Sequence, residues 1–350
     1  MKTKVVSKLI LASLVIVLIA GCNGKKDKTD LIPVRIGWQI PLATQGQVVQ
    51  VMKNTKVLEL NNLKGNFISF SYGGPQSEAA LAGELDVIFV GDQPAVNLIS
   101  KGGKWKIVSR LFYTKTAIMV PLNSGINSIS DLKGKTVAMP FGSVAHREAI
   151  LKQQAANLDA DKDVKNINLD ILEISNVVQA GGETQWGNID AVGVWEPSTS
   201  LFESNKLARI VDFTKTLGVV AISEDFIKKH PEETTKFLAS LVESWYYYSA
   251  NQDKVNKWYI DDAKLSYSPD LLKAATSIEP NINAKTINDI DLSLSKDHIN
   301  TLEVAAKWAF ERKFVKSSAT ISNAVDLSFL NNALANIKKD GFDITKMEVK

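Results

Sequence analysis

The chain has 350 residues, of which 45% are hydrophobic, and this length allows two lobes with a hydrophobic core each. Its formal charge of +3 falls to 0 (3 − 3) without the lysines at positions 2, 4 and 8, and a neutral protein lacks the basic face that nucleic-acid binding requires. Cys22 is the single cysteine, which excludes a disulfide within the chain and a metal site built from cysteines.

The first 30 residues are predicted to precede the folded part of the chain. A basic start is followed by an apolar run at 9–20, which is shorter than the roughly 20 residues of a membrane-spanning helix. The sequence Ile19-Ala20-Gly21-Cys22 resembles the cleavage box of a bacterial lipoprotein signal. We therefore predict a signal peptide at 1–21, a lipid on the Cys22 thiol and a flexible tether within 22–30. An ordinary signal peptide with an incidental cysteine is the alternative.

The first α/β unit is predicted to begin with a strand at 34–38, followed by a loop and by a helix at about 46–60. A second strand at 67–72 ends at Gly73-Gly74-Pro75, and a helix follows from Gln76. Glycines let backbone N–H groups approach a ligand, and a helix N-terminus attracts an anion. The segment is therefore either an anion site or an ordinary turn.

One sequence pattern occurs twice, at 83–94 and at 187–197. Each copy has a glycine, an aspartate, a short apolar run and a proline, and a run without polar alternation is typical of a strand buried on both faces. Asp92 of the first copy corresponds to Glu196 of the second. Because ligands bind at the carboxyl ends of strands in open α/β sheets, the repeat predicts two related units that face a common cleft.

The second unit is reached through apolar runs at 105–113 and 116–121, and a capped turn and a strand are predicted within 128–139. Ser143 begins a helix that extends to about residue 156, and its hydroxyl either caps that helix or contacts a ligand. His146 and Arg147 lie in the first turn, where the helix dipole disfavours a cation, which favours a ligand or an acidic neighbour there. A solvated histidine is the alternative for His146.

A strand is predicted at 169–174, with Asn176 in the loop after it, at the position that Gly73–Ser77 has in the first unit. Trp195 is either a core residue or a wall of the cleft, and Glu196 either caps a helix or pairs with a cation.

The chain is predicted to return to the first lobe along strands at 209–213 and 217–222. Two crossing segments, near 114–119 and 216–221, would form a hinge that bends but resists sliding. From Pro231 onward the pattern is almost entirely helical, with helices at 231–251, 297–313 and 327–338. The predicted first lobe comprises 31–116 and 220–350, and the second lobe comprises 117–219.

Motifs of known catalytic or metal chemistry are missing from the sequence. It has no His-Glu-x-x-His, Cys-x-x-Cys, Gly-x-Ser-x-Gly or dinucleotide fingerprint, and its three histidines are far apart. We therefore predict no catalytic residue, no metal and no cofactor, although the sequence leaves a pair of catalytic carboxylates open.

The lipoprotein signal, the polar tether, Gly-Gly-Pro before a helix and the segments 82–92, 130–138, 142–146, 188–197 and 325–330 together resemble the solute-binding proteins of ABC importers. The subgroup is the one that takes aliphatic sulfonates, taurine, nitrate or thiamine-type pyrimidines. The resemblance covers nearly the whole chain after the signal and rests on the order and spacing of the motifs.

This resemblance implies the type II periplasmic-binding fold: two α/β lobes, each a mainly parallel sheet flanked by helices, with a two-strand hinge and a helical C-terminal tail. It also implies a protein on the outer side of the cytoplasmic membrane, held by its lipid, that delivers a small ligand to a permease driven by an ATPase. The ligand-binding residues that it implies are Gln39, Pro41, Gly73, Gly74, Gln76, Ser77, Asp92, Gln93, Ser143, His146, Asn176, Trp195 and Glu196.

The expected ligand is a taurine-like or other aliphatic sulfonate. The carboxylates Asp92 and Glu196 would repel a simple anion but would suit a zwitterion, whose amine meets Glu196 while helix N-termini hold the sulfonate. Nitrate and a thiamine-type pyrimidine are the alternatives for the same role. An enzyme on this fold and a surface adhesin are the competing classes of function.

Overall fold

A computed structural model describes residues 31–264 and 267–350, so the predicted signal peptide, Cys22 and the tether lie outside the described residues. One mixed sheet of eight strands, flanked by helices, forms its centre. The strands are β1 (Ile32–Gln39), β2 (Leu63–Phe70), β3 (Val87–Gly91), β4 (Trp105–Pro121), β5 (Thr136–Met139), β6 (Lys165–Asn168), β7 (Ala191–Trp195) and β8 (Ala208–Ser223). The predicted α/β class is confirmed.

The strand order β2-β1-β3-β8-β4-β7-β5-β6 contains the same arrangement twice, in mirror order along the sheet. On one side β1 is parallel to β2 and β3, and β3 pairs antiparallel with β8. On the other side β5 is parallel to β6 and β7, and β7 pairs antiparallel with β4. We call β1–β3 with their helices the first lobe, and β5–β7 with their helices the second lobe.

The two copies of the repeated pattern occupy equivalent places in the lobes. Asp86, before β3, accepts a hydrogen bond from the backbone N–H of Arg35 at 2.9 Å. Asp190, before β7, accepts one from the backbone N–H of Thr136 at 2.8 Å. Each aspartate therefore fixes the start of a buried strand against the parallel strand beside it.

The long strands β4 and β8 connect the lobes and pair antiparallel over nearly their whole lengths. The sequence analysis divided each of them into two shorter strands, because polar residues interrupt the apolar runs. In the ladder these polar residues pair with one another, Thr114 with Thr216 and Thr116 with Thr214. Each strand therefore remains a single strand, because its backbone pairs with the other strand at the polar residues as well.

Helices cover both faces of the sheet and form the C-terminal third of the chain. They are α1 (Gln45–Asn54), α2 (Val57–Leu60), α3 (Gly73–Leu81), α4 (Asp92–Ser100), α5 (Val144–Ala155), α6 (Ile171–Gly181), α7 (Ser198–Ser204), α8 (Glu224–Lys229), α9 (Pro231–Ala250), α10 (Gln252–Ala263), α11 (Pro269–Thr276), α12 (Lys296–Glu311) and α13 (Ser328–Asp340). Short 3-10 turns lie at Ile129–Leu132, Pro280–Asn283, Ile287–Asp289, Ile321–Ala324 and Ile344–Lys346.

The predicted strand at 169–174 is wrong, because β6 ends earlier and α6 occupies this segment. Asp170 caps the helix by accepting a hydrogen bond from the N–H of Leu172 at 2.8 Å, and the Glu173 carboxylate accepts one from the Asp170 N–H at 2.9 Å. The apolar residues repeat at helical spacing and are buried on one face: Ile171, Ile174 and Val178.

Two helix boundaries also differ from the prediction. The helix expected at 46–60 is interrupted at Thr55, whose hydroxyl donates to the carbonyl of Val51 at 2.7 Å. The helix expected from Gln76 begins at Gly73, so the Gly-Gly-Pro segment is its first turn.

Helix α12 contacts both lobes. Its Leu302, Ala305 and Ala306 pack in a core cluster with residues of β3 and α4, whereas Trp308 and Ala309 near its end pack against Ile150 of α5. In the part of the chain that the structure describes, no helix has the length and apolar character needed to cross a membrane.

Candidate functional site

A cleft lies between the lobes, at the carboxyl ends of their parallel strands, and encloses a small cavity of about 30 Å³. The first lobe, the crossing strands and the second lobe all contribute to its wall. The thirteen lining residues are Gln39, Leu42, Gly73, Gly91 and Pro94; Phe112, Thr114, Thr116, Thr216 and Leu217; and Ser143, Val144 and Trp195. None of the thirteen has a charged side chain.

Four of the residues expected to bind a ligand line this cleft. Gln39 ends β1 and Gly73 begins α3 in the first lobe, while Ser143 precedes α5 and Trp195 ends β7 in the second. The turns after the strands of both lobes therefore meet at one site.

Three polar groups of the cleft wall are buried and have no hydrogen-bond partner in the described structure. They are Nε2 of Gln39, Oγ1 of Thr114 and the indole Nε1 of Trp195. An amide nitrogen and an indole nitrogen only donate, and a hydroxyl can donate. Because buried donors normally have partners, these atoms are suited to a ligand that accepts several hydrogen bonds.

Three helices begin at the cleft. Gly73 is the first residue of α3, Gly91 is the N-cap of α4, and Ser143 with Val144 forms the start of α5. The first N–H groups of a helix have no partner within it, and the helix dipole gives this end a partial positive charge. The cleft thus favours an anionic group although no cation lines it.

The crossing strands add a cluster of hydroxyl groups that the sequence analysis missed. The hydroxyls of Thr116 and Thr216 lie 2.7 Å apart, and Thr216 also lies 3.4 Å from the carbonyl of Thr114. The only sequence signal was a pair of polar residues inside otherwise apolar strand segments. A ligand in the cleft would therefore lie against the strands that connect the lobes.

Asp92 does not line the cleft, because Arg147 of the second lobe holds its carboxylate. The two carboxylate oxygens accept hydrogen bonds from the guanidinium at 3.0 and 2.9 Å, and both side chains are almost completely buried. Burial opposes the charge on Arg147, but Asp92 and Glu148 raise the pKa of its guanidinium. Gln93 also accepts a hydrogen bond from Arg147, at 3.2 Å, so its side chain is engaged in the same contact.

Glu196 is also paired within the protein. One of its carboxylate oxygens lies 3.1 Å from Lys115 Nζ, and the other accepts a hydrogen bond from the N–H of Ser200 at 3.0 Å. Glu196 Oε1, the oxygen nearest Lys115, is nevertheless buried without a hydrogen-bond partner in the described residues. Neither Glu196 nor Asp92 lines the cleft.

His146 is buried in an aromatic cluster outside the cleft, so the alternative of a solvated histidine is wrong. Its ring stacks on Phe141 with centroids 4.2 Å apart, and the rings of Trp308 and Phe314 lie nearly perpendicular to it with centroids 5.4 and 5.1 Å away. Its Nδ1 accepts a hydrogen bond from the N–H of Gly142 at 3.1 Å. Burial, with a contribution from the nearby charge of Arg312, lowers the pKa of His146 to about 4.

The remaining candidates lie around the cleft. Gln76 donates to the carbonyl of Phe89 at 3.0 Å, and the Ser77 hydroxyl donates to the carbonyl of Gly73 at 2.8 Å, so both support the start of α3. Asn176 was predicted to lie in a loop, but α6 begins at Ile171, so Asn176 is an exposed residue in the middle of that helix. Pro41 and Gly74 are not among the lining residues.

Within residues 31–264 and 267–350, no group of three or more His, Cys, Asp or Glu side chains is arranged to hold a metal ion. The two other histidines lie in the helical tail, His298 within hydrogen-bond distance of the Tyr113 hydroxyl and His230 between α8 and α9.

The comparisons with known proteins agree with this architecture. Residues 90–255 match the family model described as "NMT1/THI5 like". The putative aliphatic sulfonates-binding protein of Bacillus subtilis (strain 168) is 26% identical over 345 residues, which cover 95% of this chain and 98% of that protein.

Solved structures show the same fold. The alkanesulfonate-binding protein SsuA from Xanthomonas axonopodis pv. citri, bound to MOPS, superposes with a TM-score of 0.70 at 19% identity, covering 84% of this chain and 98% of that one. The desulfurization enzyme DSZB superposes with a TM-score of 0.64 at 13% identity, covering 87% and 99%. Binding proteins and at least one enzyme therefore share the architecture. In sequence the chain is similar to a protein described as sulfonate-binding, its residues 90–255 match the NMT1/THI5-like family model, and it has the fold of the solved alkanesulfonate-binding protein.

Proposed function

We propose that this chain is the solute-binding component of an ABC importer and that it holds a small aliphatic sulfonate in the cleft between its lobes. The observation that carries the proposal is the convergence of three buried donors without partners and three helix N-termini on a wall without charged side chains.

A sulfonate group matches this donor set. It has three oxygen atoms that accept hydrogen bonds in different directions, and Gln39, Thr114 and Trp195 belong to three different elements around the cleft. It carries one negative charge at all ordinary pH values, which the helix N-termini compensate without a cation. The names of the similar Bacillus and Xanthomonas proteins support the same class of ligand.

The rest of the wall favours an uncharged alkyl tail. Leu42, Phe112 and Leu217 supply apolar surface, and burial of that surface with the tail stabilises the complex. Because Arg147 and Lys115 already pair with Asp92 and Glu196, an amine in the cleft would lack a free carboxylate. We therefore propose that a simple alkanesulfonate binds more tightly than taurine.

The rest of the proposed role follows the homology and the N-terminal sequence. The protein would be anchored outside the cytoplasmic membrane by a lipid on Cys22 and would deliver its ligand to a permease and its ATPase. Binding without chemical change is favoured over catalysis because the thirteen lining residues include no histidine, lysine, cysteine or carboxylate that could act as nucleophile or base.

Isothermal titration calorimetry of the purified protein without its signal tests the ligand class. The panel contains ethanesulfonate, butanesulfonate, taurine, propionate, nitrate and a thiamine-type pyrimidine. We expect binding of the two alkanesulfonates, weaker binding of taurine, and weak or no binding of propionate, which has the same charge but one oxygen fewer. A thermal-shift assay gives a second readout, since a ligand at 100 times its Kd stabilises the folded state by about 2.7 kcal/mol.

Binding of nitrate or of the pyrimidine, with no response to any sulfonate, would overturn the assignment of the ligand. The solute-binding role would then remain, for another class of ligand. Turnover of a bound sulfonate, detected as release of sulfite, would overturn the role itself in favour of an enzyme.

A further inference from the structure

The Asp92–Arg147 contact joins the two lobes at the back of the cleft. Asp92 is the first residue of α4 in the first lobe, and Arg147 lies in the first turn of α5 in the second lobe. Both residues come shortly after residues that line the cleft: Gly91 directly precedes Asp92, and Ser143 and Val144 begin the helical turn that contains Arg147. We call this contact the interlobe ion pair.

All five N–H donors of the Arg147 guanidinium are used within the protein. Nη1 donates to Asp92 at 3.0 Å and to Gln93 at 3.2 Å, and Nη2 donates to Asp92 at 2.9 Å and to Glu148 at 3.1 Å. Nε donates to Glu148 at 3.1 Å. No donor remains for a ligand, so any effect of Arg147 on binding must pass through the position of α4 and α5.

Two further contacts accompany the pair. The side chain of Asn97 on α4 donates to the carbonyl of Gly142, before α5, at 3.2 Å. A Cβ atom added to Gly91 would lie only 2.8 Å from Cγ2 of Val144, which shows how closely the two helix starts approach. Separation of the lobes would break these contacts together.

We propose that Asp92 and Arg147 are positioning residues that hold the N-termini of α4 and α5 together in the ligand-bound arrangement, and so set ligand affinity without touching the ligand. This inference rests on the proposed function to the extent that the ligand occupies the cleft which these helices border. In an open arrangement both side chains face water, and closure buries them as a pair.

The energetics of buried ion pairs predict whether each substitution favours or opposes closure of the lobes. An intact buried pair gains little net free energy, because the loss of hydration offsets the attraction. A single charge left without its partner is strongly disfavoured in the buried state. Removal of Arg147 leaves Asp92 buried alone and should oppose closure most, while removal of Asp92 leaves Arg147 with Glu148 as its remaining partner and should oppose closure less. Removal of both charges should oppose closure less than the two single changes combined.

The test measures Kd for butanesulfonate in the wild type and in Arg147→Gln, Asp92→Asn and the double variant. We expect each single variant to weaken binding by roughly 10- to 100-fold, mainly through faster dissociation, and the double variant to weaken it less than the two single effects combined. Asp92→Asn is decisive: if Arg147 instead bound the ligand directly, release from Asp92 would tighten binding and overturn the proposal.

Arg35→Gln is the matched control. Arg35 also makes a two-bond pair with an aspartate, Asp86, at 2.7 and 3.0 Å, but entirely within the first lobe and with a side chain that is 43% exposed, against 3% for Arg147. We expect this variant to lower the melting temperature while Kd stays within about twofold of the wild type. Equal losses of affinity in Arg35→Gln and Arg147→Gln would show a general loss of stability and would contradict the positioning role.

A second readout does not depend on the identity of the ligand. Fluorophores on cysteines placed at Leu81 in the first lobe and Leu172 in the second, both exposed, report the distance between lobes in a chain that lacks Cys22. Without any ligand, Arg147→Gln should shift the distance distribution to longer values, and Arg35→Gln should not. An unchanged distribution in Arg147→Gln would overturn the inference, whereas a shift with no sulfonate binding in any variant would retain it and reject only the proposed ligand.

Discussion

Trp195 is the cleft residue whose two properties can be separated by substitution. Its ring forms part of the wall, and its indole N–H is buried without a partner. Phenylalanine retains an aromatic wall but removes the donor. We predict that Trp195→Phe weakens the binding of an alkanesulfonate by about 10-fold to 100-fold, the range for one hydrogen bond to a charged group, as measured by calorimetry.

Trp245 provides the control for this prediction. Its indole N–H is also buried without a partner in the described structure, but it lies on α9 in the core of the molecule. Trp245→Phe should alter the free energy of unfolding and leave the Kd unchanged. A Trp195→Phe variant that binds as tightly as the wild type would remove the indole from the proposed donor set.

His146 gives the protein a predictable response to acid. Its pKa is lowered to about 4, so the folded state keeps the ring neutral while the unfolded chain takes up a proton below about pH 6.5. The unfolded state therefore binds more protons between these values, and the His146 contribution to stability is lost as the pH falls.

We predict that the stability difference between wild type and His146→Phe changes by about 2 kcal/mol between pH 7 and pH 4.5, to the disadvantage of the wild type. Urea unfolding at the two pH values measures it, and all other titrating groups cancel in the comparison. Equal pH dependence in both proteins would mean that the ring is protonated within its cluster or exposed to solvent.

At the scale of secondary-structure elements, the close approach of α4 and α5 depends on Gly91. Its backbone has φ −63°, so alanine causes no conformational strain, but its Cβ would lie 2.8 Å from Val144. We predict that Gly91→Ala pushes the two helix starts apart and weakens ligand binding at least about tenfold, with a smaller effect on the melting temperature. Calorimetry and thermal unfolding measure the two quantities.

Gly125→Ala is the matched control, since an added Cβ there would contact nothing within 4 Å and no positive φ is required. It should bind ligand as the wild type does. A Gly91→Ala variant with unchanged Kd would show that the helix starts tolerate separation without loss of the site.

The same elements show how far sequence reasoning extends. Strands β3 and β7 were predictable because unbroken apolar runs mark strands buried on both faces. Segment 169–174 was not predictable, because its apolar residues fit either a helix or a strand. The helix is selected by a capping pair three residues apart at its start. Of the cleft, Trp195 lies in the repeat, and Gln39, Gly73 and Ser143 were implied by the resemblance to solute-binding proteins, but Thr114 and Thr216 are strand residues without a motif. The partner of Asp92 was hidden because Arg147 lies 55 residues away and only the fold brings them together.

At the scale of the whole molecule, the N-terminal sequence decides where the protein resides. We predict that the full chain, expressed in a bacterium with lipoprotein processing, fractionates with membranes through a lipid on Cys22, because the apolar run itself is too short to span a bilayer. Cys22→Ala should move the protein to the fraction without membranes, as seen by immunoblot, while its ligand affinity stays unchanged. Retention of Cys22→Ala on membranes would indicate an uncleaved signal as the anchor.

The pairing of β4 with β8 has a consequence for how the molecule moves. Seven successive residue pairs, from Phe112–Gly218 to Ile118–Asp212, are in regular register, and irregularities interrupt the ladder at Arg110/Phe112 on one side and at Ile118/Met119 on the other. Because a β-bulge bends the strand that carries it, we expect the connection to bend at these two irregularities and to move as a stiff segment between them. This stiff segment overlaps the region near 114–119 and 216–221 in which the sequence analysis placed the hinge. Thr114, Thr116 and Thr216 all belong to the stiff segment. The floor of the cleft is therefore preassembled, and an incoming molecule meets the same hydroxyl pattern whichever way the two walls are tilted.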